Sequence, residues 1–107
     1  MKLANLDEMT KGWFIGDFEP SILRTKDFEV GVVFRPKGLK ETPHYHAIAT
    51  EYNLVISGSF ILNGILMKPG VIFILEPGEV VIPVFHEDTR ILSIKVPSLI
   101  GDKYEVL

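Results

Sequence analysis

A chain of 107 residues, 47% of them hydrophobic, is long enough for one core and too short for two. Its net charge of -3 comes from 11 basic and 14 acidic residues of mixed placement, which excludes the clustered Lys/Arg that a nucleic-acid partner requires. Cysteine is absent, so disulfides, thiolate catalysis and cysteine-bound zinc are excluded, and no apolar run approaches the roughly 20 residues of a membrane-spanning helix.

In chain order, Met1 to Glu8 carries two acids and no apolar stretch. It does not read as a secretory signal, and a cytoplasmic location is the expectation. Leu3, Leu6 and Met9, with charges between them, predict a turn or two of helix. The aromatic run Lys11 to Phe18, with Trp13 inside it, is expected to pack across one end of the fold. Pro20 and Ser21 predict a turn before a short strand over Ile22–Arg24.

From Phe28 onward the chain alternates β-branched and aromatic runs with turn residues. The predicted strands are Phe28–Arg35, His44–Ala47, Glu51–Ser57, Phe60–Met67, Val71–Leu75, Glu79–Phe85 and Arg90–Val96. Asn63-Gly64 favours a tight hairpin, since both central residues need positive φ. Pro83 cannot donate to a ladder, so it marks an edge strand or a bulge. The tail from Pro97 to Leu107 reads as irregular. Residues 1–107 are expected to form a single domain, with a core barrel over about residues 28–97.

The most informative segment runs from Gly38 to Gly58. His44 and His46 project from one face of an extended strand, and Tyr45 points the other way. If a hairpin returns the chain through Glu51, its carboxylate meets the two imidazoles. Two His and one Asp/Glu form a ligand set for divalent Fe, Mn, Ni or Zn, among which the residues do not choose. The bland alternative is that the three side chains hold one another in a dry pocket and bind nothing.

Gly38, five residues, His44-x-His46, four residues, Glu51, six residues and Gly58 resemble the first conserved motif of the cupin superfamily at all five positions. The resemblance implies an all-β, single-domain cupin-type antiparallel barrel or jelly roll, with a short irregular or helical N-terminal segment. It also implies a metal site at His44, His46 and Glu51. The second cupin motif usually supplies a third histidine, and here Val81 stands in its place. His86 lies five residues later, an odd offset that puts it on the opposite face of a continuous strand, so it is expected in an exposed turn.

Further candidate ligand-binding residues are Asn53, which shares the face of Glu51, and Glu76 and Glu79, which flank the Pro77-Gly78 turn. Lys95 lies in an apolar run and is expected on an outer face, and Arg35 is expected in a surface salt bridge. Alternation sends Tyr52, Leu54 and Ile56 outward, and that apolar face predicts a homodimer.

Two functional classes follow. The first is a small-molecule-binding protein, with or without a divalent metal. The second is a metal-dependent enzyme acting on a small molecule, as in oxygenases and sugar isomerases or epimerases of the superfamily. The fold alone does not choose between them.

Overall fold

The computed structural model describes residues 1–106. Its strands are β1 (Trp13–Ile15), β2 (Glu29–Arg35), β3 (His44–Tyr45), β4 (Thr50–Ser57), β5 (Phe60–Leu62), β6 (Ile65–Met67), β7 (Ile72–Leu75), β8 (Pro83–Val84), β9 (Thr89–Val96) and β10 (Tyr104–Glu105). A five-stranded antiparallel sheet has the order β1-β2-β9-β4-β7, a three-stranded sheet the order β6-β5-β8, and β10 pairs with β3. The described residues are all-β apart from one 3-10 turn at Leu6–Glu8.

Several expectations meet their structural counterparts directly. Asn63 and Gly64 both adopt positive φ, 49° and 79°, and join β5 to β6 as a tight hairpin. Pro83 lies in β8, at the edge of its sheet. Gly58 closes the motif because its φ is +74° and a Cβ there would collide with the Asp88 backbone.

Other expectations are corrected. The N-terminal helix is a single 3-10 turn, capped by the Asn5 side chain, which accepts the Asp7 N–H at 2.9 Å. Leu3 is 88% exposed, so the segment has no apolar seat to stabilise a longer helix. Ile22–Arg24 forms no strand, only a bridge from Leu23 to Ile15. Residues 13–15 add an edge strand to the large sheet, and the Trp13 ring fills the space that Gly31 leaves by having no Cβ. The tail is not irregular throughout, because β10 pairs with β3. Sheet pairing thus extends beyond residues 28–97 on both sides.

The core lies between the two larger sheets. Val33, Val55 and Ile91 of one meet Phe60, Leu62 and Met67 of the other. Phe60 packs 5.0 Å from Phe85 and 6.0 Å from Phe73, centroid to centroid. Full burial of such a ring contributes about 1.5–3 kcal/mol.

The inner face of the large sheet grades from apolar to charged. Directly paired residues share a face, so the register defines successive rungs. One rung is Val33–Ile91–Val55, the next Gly31–Ser93–Asn53–Phe73, and the next Glu29–Lys95–Glu51–Leu75. From the Val33 rung to the Glu29 rung the inner face thus passes from apolar to charged, while Thr89, on the rung beyond Val33, is also fully buried. On the outer face, Tyr52 is 43% exposed and Ile72 72%, with Ile56 and Ile74 also exposed.

A candidate ligand and metal site at the polar end of the core

A cavity of about 100 Å³ opens at the polar end of the sandwich, and His44, His46, Glu51 and Asn53 all line it. β3 and β4 carry these residues. The loop between them, residues 47–49, is fixed by Asp102, which accepts from Ala47 N–H at 3.0 Å, Ile48 N–H at 3.1 Å and Ala49 N–H at 2.8 Å. Burial tends to raise the Asp102 pKa, but the three backbone donors outweigh it and hold the carboxyl below its ordinary value.

The two histidines differ. His44 Nδ1 donates to the Thr42 carbonyl oxygen at 3.0 Å, because a carbonyl can only accept. The proton is thereby fixed on Nδ1, and Nε2 carries the lone pair. His46 Nδ1 lies 3.5 Å from Glu51 Oε2. Burial lowers the His46 pKa, Lys95 and His44 add to the lowering, and Glu51 opposes it. His46 is consequently neutral at pH 7, with its proton facing Glu51. The two rings stand 5.9 Å apart, centroid to centroid.

The donor types suit a divalent ion: two imidazoles, one oriented by a backbone carbonyl, and a carboxylate. The spacing is looser. Among the described residues, no three His, Asp or Glu side chains gather closely enough to hold a metal ion. Glu51 faces His46 rather than standing between both rings. Val81, where the cupin resemblance places a third histidine, bridges to His44 and lines the cavity.

Asn53 is 3% exposed. Its Oδ1 accepts from Ser93 Oγ at 2.6 Å, while its Nδ2 is buried with no hydrogen-bond partner among the described residues. A buried amide donor without an acceptor costs about 1–3 kcal/mol.

Glu76 and Glu79 are not brought to the cavity. Both are exposed, and the Glu79 carboxylate accepts the Glu76 N–H at 3.4 Å within their own turn. His86 is exposed and pairs with Ser59 Oγ at 2.9 Å. Lys95 is a correction: it lines the cavity instead of an outer face. It shares the inward face of Ile91 and Ser93, its Nζ lies 4.0 Å from Glu29 Oε1, and the Trp13 ring sits 4.8 Å away. Arg35 makes the expected salt bridge, 2.9 Å to Glu41, but both residues line the cavity. Sequence reasoning missed Ser93, Glu41, Asp102 and Lys103. The period-two series Ile91, Ser93, Lys95 was the available signal for the first and for Lys95; Asp102 and Lys103 lie in a segment without periodicity.

No sequence-family model and no curated sequence matches this chain. Solved structures do. A protein with a double-stranded beta-helix domain from Klebsiella pneumoniae shares 24% identity, covering 100% of this chain and 98% of its own, with a TM-score of 0.70. A cupin protein from Bacteroides fragilis shares 21% identity over 78% of this chain and 74% of its own, with a TM-score of 0.57. The chain has the cupin fold. A third structure with this fold, ectoine synthase from P. lautus, shares 16% identity over 100% of this chain and 91% of its own, with a TM-score of 0.72. At these identities the likeness concerns the cupin fold and not a reaction.

Proposed function

We propose that this cupin binds a small polar molecule in the cavity at the polar end of its core. The observation that carries the reading is the unpartnered Nδ2 of Asn53, a buried donor on the cavity wall. Buried polar groups in folded proteins are paired, and an exception calls for a partner. A ligand oxygen accepting from Nδ2 supplies one. His44 and His46 support the same reading, because both line the cavity, with His44 Nδ1 donating to the Thr42 carbonyl and His46 Nδ1 lying beside Glu51 Oε2. Holding a divalent metal at His44 and His46 would require the Glu51 carboxylate to turn from His46 toward both rings, and the ion would then polarise an oxygen of the bound molecule.

The second reading is a metal-dependent enzyme. The Nδ1 donation from His44 to the Thr42 carbonyl favours it, since metal-binding histidines are commonly oriented in this way. The likeness to ectoine synthase, an enzyme by name, supports it at the level of fold. We further propose that a second copy of the chain covers the exposed face of Tyr52, Ile56, Ile72 and Ile74.

A thermal-shift screen of small polar compounds, with and without Mn(II), Ni(II) or Zn(II), tests these readings. Binding raises the melting temperature by mass action. A compound that stabilises the wild type, and does not stabilise an Asn53→Val variant, is the expected result. No response to any compound or ion would overturn both readings.

A further inference from the structure

The carboxyl-terminal segment from Ser98 to Val106 is strapped across the site by contacts from several directions. Ser98 donates its N–H to the Lys26 carbonyl at 3.0 Å. Asp102 holds the 47–49 loop through three N–H groups. Tyr104 stacks on Tyr45 at 5.4 Å, and Val106 N–H reaches the Pro43 carbonyl at 2.8 Å. Between Asp102 and Tyr104, this strap delivers Lys103 to the cavity lining.

The other charged groups around the cavity have protein neighbours. Arg35 pairs with Glu41 at 2.9 Å. Lys95 lies near Glu29 at 4.0 Å, and Glu51 stands 3.5 Å from the neutral His46. Lys103 is exposed and makes no ion pair among the described residues. The lining therefore offers two donors without acceptors: a neutral amide deep in the fold and an ammonium on the strap. At about 100 Å³ the space is well below the roughly 300–1,000 Å³ of sites for drug-sized ligands.

We propose that the ligand is a short-chain carboxylic acid, bound as the anion, with its carboxylate at Lys103 and a further oxygen accepting from Asn53 Nδ2. The inference rests on the ligand-binding reading above and adds the ligand class to it. Asp102 is then a positioning residue, because it anchors the strap that carries Lys103.

Isothermal titration with lactate, malonate and 2-oxobutyrate, beside their neutral counterparts lactamide, malonamide and 2-oxobutanamide, tests this. At least one carboxylate is expected to bind at least tenfold more tightly than its neutral counterpart. Its affinity should fall as NaCl is raised, since the contact is ionic and solvent-accessible. Lys103→Gln, a change at an exposed position, should weaken the carboxylate about tenfold and leave neutral compounds unchanged. Equal binding of neutral compounds, or an unaltered carboxylate affinity in the Lys103→Gln protein, would overturn the ligand class while leaving a binding cavity in place. Absence of binding by any of the six compounds would overturn the ligand class too. If the wider screen also finds no ligand, the binding reading falls with it.

Discussion

Val81 stands directly opposite His44 in an antiparallel bridge, with His44 N–H to Val81 O at 3.2 Å and Val81 N–H to His44 O at 2.7 Å. Directly opposed residues present their side chains to one face, so an imidazole at 81 would stand beside those at 44 and 46. Val81→His should raise affinity for Ni(II) or Zn(II) at least tenfold, about 1.4 kcal/mol, at pH 7.5. Competitive titration against a chelating dye measures this. No gain in a folded variant would show that this wall of the cavity is not arranged for coordination.

Asn53 and Ser93 form a buried pair with one donor left over. Replacing both partners by apolar groups removes the hydrogen bond and the orphan together. The double variant Asn53→Val/Ser93→Ala should be at least as stable as the wild type in urea, and it should lose the response to ligand. Asn53→Val alone leaves the Ser93 hydroxyl unpaired and should be the less stable of the two. A double variant that unfolds more readily than the single one would contradict the assignment of Asn53 as a group kept for binding.

Asp102 makes a prediction about acid. Its folded pKa lies below its ordinary value near 3.8, so its stabilising contribution is present above pH 3.8 and is lost as pH falls through the folded value. Asp102→Ala should cost about 1–2 kcal/mol at pH 7 through three unpaired N–H groups, and the difference from wild type should shrink below pH 3.8. Urea titrations at pH 7 and pH 3 measure both. A constant difference across that range would mean that the carboxylate charge is not what fixes the loop.

Glu29 behaves in the opposite sense. Burial raises its pKa above the ordinary value near 4.5, against the lowering influence of Lys95 and Ser98. Its contribution is full below pH 4.5 and is lost as pH rises through the raised value. Glu29→Gln, which keeps an acceptor for Ser98, should remove that loss. Relative to wild type, the variant should gain stability as the pH rises from 4 to 7. A variant whose pH profile parallels that of wild type would contradict the burial of an ionising carboxyl at this position.

Much of the fold was legible because period-two alternation and turn chemistry are local. Gly58 and Asn63-Gly64 announce their turns by the φ values they permit, and alternation through Glu51, Asn53 and Val55 identifies the inner face of β4. Lys95 was misplaced because its charge was weighed above its register with Ser93 and Ile91. Only the neighbouring strands reveal that Glu29 and Glu51 flank it on one rung. Asp102 and Lys103 were illegible for a different reason: their roles depend on contacts more than 50 residues away in the chain, and no periodicity marks them. Glu76 and Glu79 were over-read, since flanking a turn near a motif does not aim a side chain at a cavity.

The most direct test is a crystal structure of the protein grown with the tightest-binding compound from the screen. An oxygen of that compound is expected about 2.9 Å from Asn53 Nδ2, inside the cavity lined by His44 and His46. A bound molecule seated elsewhere, or an Asn53 amide turned to satisfy itself on protein atoms with the cavity closed, would contradict that placement.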